Sequence, residues 1–414
     1  MVTIFYDSYC ILNKVYREGA FLKQAINDVP IEELNRPKTT KIVYGVLDRD
    51  IELNYFIDCL CQKRPKPVIV ILLKIAMYAI YYLEKKPYAV IDNIVELTKK
   101  IGKGANSGFV NAILRKFSQN IGALSENANK NLSLKYSYPQ FALDILTKDY
   151  GAQTAERIIA FNKEKTFVRF KNGVSGREYL DQKGYVYEKT PFDNLFAVEK
   201  IKINDDFNKG IFTFQSIGSV AICDVITECG NLLDACAAPG GKSVYLAERF
   251  KTVTSFELHP HRVELINAYK ARMSADNVTA LQKDSQIFDP EYKERFNAVL
   301  CDVPCSGYGT LSPNPDIKLK NKDYIDRLLP VQYGILNNCA NYVKKAGAIY
   351  YSTCSLFKAE NDKIVEKFLN TNANFEVQTI SSPLNCLKTE YGLQFLPHLS
   401  CGVGFYVCKL VRKK

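Results

Sequence analysis

From about Gly230 to the C-terminus, short apolar runs alternate with segments of helical pattern, and this alternation constrains the fold most strongly. The predicted strands cover residues 232–235, 253–258, 278–282, 298–302 and 348–352. Helices fit between them, notably over 262–273 and 360–369, and the run "GFYVCKLV" adds a C-terminal strand. Such alternation is typical of an α/β domain with a parallel, doubly wound (Rossmann-like) sheet, whose ligands bind at the carboxyl ends of the strands.

The first 120 residues have the pattern of an all-α domain. Residues 68–83 are almost wholly apolar, but this run contains Lys74 and is shorter than the roughly 20 residues that cross a bilayer. It therefore predicts a helix buried in a bundle. A second helix is predicted from Pro87, a residue tolerated in the first helical turn, to a stop at Gly102. A short amphipathic helix is predicted over 108–117.

The middle of the chain predicts a connection and a small α+β subdomain. Residues 119–131 are polar without an apolar period and are interpreted as a linker. Two helical pieces follow, separated at Gly151, and short β-prone runs fill 167–211. The chain is thus predicted to be multidomain, with a helical domain over 1–120, linker helices and an α+β subdomain over 121–211, and the α/β domain over 212–414.

Charge and cysteine usage restrict the partners and the compartment. Lys and Arg number 55 against 44 Asp and Glu, and a net charge of +11 favours a polyanion such as RNA. The basic side chains around the predicted N-terminal helices are either solvated helix faces or an RNA-facing surface: Lys63, Arg64, Lys66, Lys85, Lys86, Lys99, Lys100, Lys103, Arg115 and Lys116. With 13 irregularly spaced cysteines, three histidines and no signal-peptide pattern, we expect free thiols, no metal site and a cytoplasmic location.

The stretch "LLDACAAPGGKS", from Leu232 to Ser243, is predicted to form a strand, a tight turn and the start of a helix. Gly240 and Gly241 allow the backbone to approach a ligand closely, since they carry no Cβ. The stretch contains neither GxGxxG nor GxxxxGK[ST], which counts against a nicotinamide dehydrogenase and against a P-loop enzyme.

Three acidic residues and two cysteines are predicted at the ligand-binding edge of the sheet. Glu257 ends the second strand, where an acidic residue holds a ribose diol in nucleoside-cofactor sites, and Asp284 and Asp302 follow the third and fourth strands. Cys305 comes just after the fourth strand and Cys354 just after the fifth. Since the carboxyl ends of parallel strands share one edge, the two thiols are expected to face each other.

Several stretches in this order resemble the RNA cytosine-5 methyltransferases of the Sun/NOL1/NOP2 group: "DACAAPGGKS", "FELHPHRVELI", "KDS", "CDVPCSGYGTLSPNPDIK" and "GAIYYSTCSLFKAEND". The N-terminal part resembles the NusB-like RNA-binding domain in "IVYGVLDRD", "KPYAVIDNIVELTKKIG" and "GFVNAILRK". The resemblance implies methyl transfer from S-adenosyl-L-methionine to C5 of a cytosine in small-subunit (16S) ribosomal RNA, through a covalent cysteine adduct. It implies no membrane or metal partner, and we expect a monomer.

The resemblance also implies roles for individual residues. Cys354 would be the nucleophile, Cys305 would help to release the product, and Asp302 would hold the methionyl end or the target base. A protonated Asp302 could donate a hydrogen bond to N3 of the base. The implied cofactor-binding residues are Cys236, Ala237, Ala238, Pro239, Gly240, Gly241, Lys242, Glu257, Arg262, Asp284 and Asp302.

Two alternatives stay open at the level of sequence. Cys305, rather than Cys354, could be the nucleophile, as the Pro-Cys motif is in DNA cytosine methylases. The chain could also be an RNA-binding assembly factor whose catalytic domain is vestigial. One departure from the family pattern lies in the site: Glu257 stands where the family usually has Asp, and its extra methylene should still reach a diol.

Overall fold

The computed structural model describes residues 2–161 and 165–414, and the chain forms two compact units. One, called here the helical unit, comprises Met1–Ala160 and Leu311–Lys320. The other, the sheet unit, comprises Phe161–Thr310 and Asn321–Lys414. Within the described residues, no helix is both long enough and apolar enough to cross a membrane.

The helical unit is built on ten α-helices within its described residues. They are α1 Val2–Glu18, α2 Leu22–Asp28, α3 Arg36–Asp48, α4 Asp50–Leu60, α5 Pro67–Tyr81, α6 Pro87–Lys100, α7 Ser107–Ala128, α8 Leu132–Lys135, α9 Gln140–Tyr150 and α10 Ala152–Ala160. The predicted helices in this region are confirmed, and the proline at the start of α5 and of α6 lies in the first turn, where its missing N–H costs no hydrogen bond.

Helix α5 is buried from Ile69 to Ile80, as its apolar run predicted. Its lysine is accommodated by an ion pair: Lys74 Nζ lies 2.5 Å from Asp50 Oδ1 at the start of α4. Asp50 also accepts hydrogen bonds from Tyr16 and from Asn54. Burial lowers the pKa of Lys74, an effect that the Asp50 carboxylate opposes. The buried cation is therefore stable there only because its partner is buried beside it.

The linker predicted over 119–131 is wrong for most of its length, because α7 continues through Ala128. Phe117 and Ala128 are buried, and Ile121 and Leu124 between them pack against the same core. This spacing is one helical face, but between Phe117 and Ala128 only Ile121 and Leu124 are large and apolar, which is too few to establish a helical period from the sequence.

The sheet unit contains a small antiparallel sheet in the order β2-β3-β1-β4. Its elements are β1 Phe167–Phe170, α11 Gly176–Lys183, β2 Tyr187–Lys189, β3 Leu195–Val198, α12 Asp205–Asn208 and β4 Phe212–Phe214. The predicted α+β pattern is confirmed. Arg169 of β1 is buried, donates to Gln215 Oε1 at 2.7 Å and to Glu248 Oε1 at 2.9 Å, and so ties this sheet to the remainder of the unit.

The larger sheet of the unit has nine strands and is mixed. Its elements are α13 Ile217–Asp224, β5 Asn231–Asp234, α14 Gly241–Ala247, β6 Thr252–Glu257, α15 Pro260–Met273, β7 Val278–Gln282, β8 Phe296–Asp302, α16 Lys322–Cys339, β9 Val343–Thr353, α17 Asp362–Thr371, β10 Phe375–Gln378, β11 Leu387–Lys388, β12 Leu393–Phe395 and β13 Phe405–Arg412. The order is β11-β12-β13-β9-β8-β5-β6-β7, with β10 paired to β13. The parallel, doubly wound part predicted from the sequence is β7-β6-β5-β8-β9, and the C-terminal strand joins it antiparallel.

The domain limits predicted at 120 and 211 do not coincide with the compact units. Position 120 lies inside α7, and α8 to α10 belong to the helical unit. A limit at position 211 would cut β4 away from the small sheet, although β4 pairs with β1 in that sheet. Residues 311–320, assigned from sequence to the α/β domain, belong to the helical unit, where Lys318 Nζ lies 2.6 Å from Asp48 Oδ1.

Replacing Lys74 by Met should destabilise the helical unit, because the buried Asp50 carboxylate would lose its cation. Removing one partner of a buried pair costs about 3–5 kcal/mol. Hydrogen exchange of the α5 backbone amides in the full chain would report this loss. The exposed Lys63→Met is the control and should change the free energy of opening by no more than about 0.5 kcal/mol. Equal protection of α5 in the two variants would contradict the assignment.

Candidate active site

The carboxyl ends of the five parallel strands surround a cavity of about 320 Å³. The sequence-predicted residues that line it are Cys236, Ala238, Glu257, Arg262, Asp284, Asp302, Cys305 and Cys354. The parallel register places Asp302 of β8 opposite Ser352 of β9, so the turns after these two strands are neighbours. The topology therefore brings both thiols and all three rim carboxylates to one cavity.

The two cysteines are in contact. Cys305 Sγ lies 2.8 Å from Cys354 Sγ, and the Cys354 backbone N–H donates to Cys305 Sγ at 3.2 Å. The Gly309 N–H donates to the Cys354 carbonyl at 2.9 Å, and the Gly309 carbonyl accepts from Gly404 N–H at 2.7 Å. A Cβ on Gly309 would lie 1.9 Å from the Gly404 carbonyl oxygen, so only glycine permits this close backbone approach.

The surroundings of Cys305 hold it in the neutral form. The hydrogen bond with Cys354 and then burial raise the pKa of the Cys305 thiol well above its ordinary value. A thiol with a raised pKa stays protonated at neutral pH, and the thiol is a far weaker nucleophile than the thiolate.

Asp302 lies at the centre of a charged network. Its Oδ2 is 2.6 Å from Lys242 Nζ, and its Oδ1 accepts a hydrogen bond from Ser352 Oγ at 2.8 Å. Burial opposes the charge of Lys242, but the Asp302 carboxylate outweighs it, and the pKa of Lys242 is raised. In both contacts the Asp302 carboxylate is the hydrogen-bond acceptor.

The glycine turn between β5 and α14 adopts the predicted strand–turn–helix structure. Gly240 has φ +101°, a conformation that favours glycine, and its N–H donates to the Ala237 carbonyl at 2.7 Å. Ser243 donates to the buried Asp234 at 2.6 Å, which fastens the start of α14 to the end of β5. Burial raises the pKa of Asp234 to about 6. Five residues of the predicted cofactor set shape this turn without lining the cavity: Ala237, Pro239, Gly240, Gly241 and Lys242.

Glu257 and Asp284 occupy the far side of the cavity from the thiols' strands, at the ends of β6 and β7. Glu257 Oε1 accepts from the His259 N–H at 3.0 Å and lies 3.4 Å from Arg262 Nη1. Asp284 Oδ1 accepts from the Gln286 N–H at 2.9 Å. Two oriented carboxylates on successive strand ends, beside apolar walls, fit the hydroxyl and amino groups of a nucleoside.

Sequence reasoning missed part of the cavity wall. The additional lining residues are Ala235, Leu258, His259, Lys283, Ser285, Gln286, Val303, Pro304, Val331 and Ile335. Most are adjacent in the sequence to predicted site residues and could have been predicted together with them. Val331 and Ile335, four residues apart on α16, have the spacing of ordinary core residues, so no signal distinguished them. Among the described residues, no group of three or more His, Cys, Asp or Glu could hold a metal ion.

Comparison with known proteins assigns the family. Residues 226–411 match the family model described as 16S rRNA methyltransferase RsmB/F, and residues 4–119 match the NusB family. The probable ribosomal RNA small subunit methyltransferase B of Bacillus subtilis (strain 168) is 32% identical, and the match covers 97% of this chain and 96% of that protein. This chain belongs to the ribosomal RNA small subunit methyltransferase B family.

Further relatives agree with this family and with the fold. The ribosomal RNA small subunit methyltransferase B of Photorhabdus laumondii is 26% identical over 97% of each chain. The crystal structure of PH0851 matches 100% of this chain and 99% of its own, with a TM-score of 0.82 at 21% identity. NSun6 from Pyrococcus horikoshii, solved with SFG, has a TM-score of 0.57 at 15% identity and covers 67% of this chain and 98% of its own. The predicted family resemblance and fold class are confirmed.

Replacing Cys354 by Ala should lower the pKa of Cys305, because the hydrogen bond with Cys354 is the largest cause of its elevation. The pH midpoint of Cys305 alkylation, followed by peptide mass spectrometry, should move to lower pH, with the thiolate fraction rising about tenfold per pKa unit. Improved access alone would change the maximal rate and leave the midpoint in place. Buried Cys223, whose pKa burial raises to about 12, serves as the internal control. An unshifted midpoint for Cys305 would contradict the coupling.

Proposed function

We propose that this protein transfers a methyl group from S-adenosyl-L-methionine to C5 of a cytosine in small-subunit (16S) ribosomal RNA, through a transient bond between Cys354 and C6. One observation carries the proposal: two cysteine sulfurs 2.8 Å apart lie on the wall of a cavity that also presents Glu257, Asp284 and Asp302. One thiol is enough for a reaction that needs only a nucleophile. Here the base must also be released from the enzyme, and a second thiol can assist that step.

The methyl donor is assigned to the Glu257 and Asp284 side of the cavity. Glu257 at the end of β6 is placed to accept from a ribose diol, with Arg262 and His259 N–H holding one of its oxygens. Asp284 is placed to accept from the adenine amino group. When bound, the donor supplies an electrophilic methyl group, and the residues of the chain orient it toward the cysteine turns.

Cys354 activates the target base. C5 of cytosine is a poor nucleophile, and addition of the Cys354 sulfur to C6 forms an S–C6 bond while the C5–C6 π electrons become available at C5 for attack on the methyl group. Cys305 is a neutral neighbour whose S–H can donate to the Cys354 sulfur, which spreads the negative charge of a thiolate over both groups.

Asp302 selects the base. An ionised carboxylate accepts from the exocyclic amino group of cytosine, whereas the carbonyl oxygen that uracil carries at the same position would be repelled. Lys242 and Ser352 hold the carboxylate in place, so discrimination needs no rearrangement when the base enters. The base must be unpaired or flipped out to reach this depth.

Cys305 completes the reaction. After transfer, the C5–H bond breaks, its electrons re-form C5=C6, and the C6–S bond breaks with its electron pair returning to Cys354. Cys354 loses its own proton to solvent before it attacks, and this is the one proton that each methyl transfer releases. In the release step Cys305 gives its proton to the departing sulfur and takes the proton from C5, so both cysteines end as thiols. Because the two sulfurs are in contact, the proton of Cys305 can pass directly to the sulfur of Cys354.

The helical unit is assigned to holding the ribosomal RNA. All ten basic side chains singled out in the sequence are exposed on this unit, in the region that matches the NusB family. Exposed Lys and Arg neutralise phosphates without reading sequence, so they add affinity while the cavity selects the base. The net charge of +11 agrees with such a partner.

The cysteine roles predict opposite effects of two serine variants. With 16S ribosomal RNA containing 5-fluorocytosine, whose C5 substituent cannot leave as a proton, the wild-type protein should form an adduct that survives denaturing electrophoresis. Cys354→Ser should form none, since it lacks the attacking sulfur. On natural RNA, Cys305→Ser should accumulate the adduct, because release is impaired. An adduct that persists in Cys354→Ser and vanishes in Cys305→Ser would exchange the two roles.

Binding of the demethylated donor separates an enzyme from a vestigial catalytic domain. S-adenosylhomocysteine should bind in calorimetry, and Glu257→Ala should weaken binding on the order of tenfold or more, since a buried hydrogen bond to a charged group contributes about 1.5–3 kcal/mol. Glu264→Ala, on the following helix α15 and outside the cavity lining, should bind as the wild type does. Absence of binding by the wild-type protein would favour the RNA-binding assembly factor.

A further inference from the structure

Each of the two active-site cysteines is followed by a serine, and both serines hydrogen-bond to one buried carboxylate. Ser306 donates from its backbone N–H to Glu360 Oε1 at 2.8 Å and from its hydroxyl to Oε2 at 2.5 Å. Ser355 donates from its hydroxyl to the same Oε2. The turn that carries Cys305 and the turn that carries Cys354 therefore meet at Glu360.

The carboxylate of Glu360 is completely buried and fully engaged. Gln332 of α16 donates from its side-chain nitrogen to Glu360 Oε1 at 2.9 Å. The same nitrogen donates to the carbonyl of Pro304 at 3.0 Å, and this bond holds the residue before Cys305 in place. The Glu360 carbonyl accepts from Tyr351 OH at 2.6 Å, which fastens the glutamate to β9. Every group around the carboxylate is a donor belonging to one of the cysteine turns or to the helix beside them.

We propose that Glu360 is a positioning residue that locks the Cys305 turn to the Cys354 turn and thereby keeps the two sulfurs in contact. The inference rests on the proposed two-cysteine chemistry and adds to it the group that holds the pair. Glu360 itself does not line the cavity and touches neither the base nor the methyl donor.

The chemistry of the four donors explains why a glutamate is required. A carboxylate only accepts hydrogen bonds, and its two oxygens offer about four lone-pair sites, which match the four bonds found here. A glutamine would turn an N–H group toward donors on one side. An aspartate would be one methylene too short to reach both turns.

A buried carboxylate with a purely structural role would have its hydrogen-bond partners outside the two cysteine turns. Asp362, two residues along the chain, is also a mostly buried carboxylate, and it accepts hydrogen bonds from Thr389 and Tyr406 at 2.8 Å each. Its partners are Thr389 in the loop before β12 and Tyr406 of β13, and neither of these hydrogen bonds involves Ser306 or Ser355 of the cysteine turns. Asp362→Asn is therefore the matched control for loss of a buried acceptor in the same segment.

The first test measures sulfur proximity without activity. Full-length protein is equilibrated in buffers of oxidised and reduced glutathione, and the Cys305–Cys354 disulfide is quantified by peptide mass spectrometry. Oxidised glutathione accepts the two electrons, and two molecules of reduced glutathione form for each disulfide. Glu360→Gln should lower the equilibrium constant for this disulfide about tenfold or more, whereas Asp362→Asn should leave it unchanged within about twofold.

The second test measures the chemical step. Single-turnover methyl transfer should slow by about 100-fold in Glu360→Gln, because displacing reacting groups by about 1 Å has an effect of this order. The affinity for S-adenosylhomocysteine should stay within about twofold of the wild type. If Glu360→Gln fails to fold, Ser306→Ala and Ser355→Ala each remove one link, and the double variant should lose more than either single variant in both measurements.

The outcomes separate this inference from the proposed function. A wild-type protein that forms no adduct through Cys354 would refute the proposed function itself. A wild-type protein that does form it, together with a Glu360→Gln variant that keeps wild-type disulfide formation and rate, would overturn the positioning role alone. Equal losses in Glu360→Gln and Asp362→Asn would likewise overturn it.

Discussion

The parallel pairing of β8 with β9 is the constraint on which the site depends. Parallel strands end at the same edge and lie about 4.8 Å apart, so residues that follow neighbouring strands can touch. In this chain Asp302 and Ser352 are opposite each other in that register, and each strand is followed within three residues by an active-site cysteine. The pairing brings together an acid and two thiols that are about fifty residues apart in the sequence.

Hydrogen bonds to two carboxylates, Asp302 and Glu360, give the site its fixed geometry. Asp302 accepts hydrogen bonds from Lys242 and Ser352, and Glu360 is accommodated by four donors. In a medium of low dielectric constant, each such bond is stronger than in water, and losing one is correspondingly costly. The hydrogen bond with Cys354 and then burial raise the pKa of the Cys305 thiol.

In the helical unit, too, a buried charged group is paired with a group of opposite charge. Its central helix α5 is apolar along nearly its whole length and includes one buried lysine, which Asp50 neutralises. The unit also incorporates residues 311–320, where Lys318 pairs with Asp48. The polypeptide thus leaves the sheet unit at Thr310, five residues after Cys305, and returns to it at Asn321. Two separate stretches of sequence contribute to each compact unit.

Local patterns in the sequence determined the strands and helices that build the sheet, because burial imposes a period on residues that are neighbours in the chain. The order of motifs along the chain likewise determined which side chains stand at strand ends, and hence eight of the eighteen residues that line the cavity. Helix α7 has few large apolar residues after Phe117, and the end of that helix was missed for this reason. The exchange of residues 311–320 between units left no local signal at all.

Only the tertiary structure decided how the candidate groups are connected. That Asp302 is paired with Lys242, that Cys305 contacts Cys354, and that Glu360 joins both cysteine turns depend on contacts across 49 to 60 residues of chain. Amino-acid type and spacing specify what a side chain can do. Its partners, its burial and therefore its charge state are set by atoms that approach it only when the chain has folded.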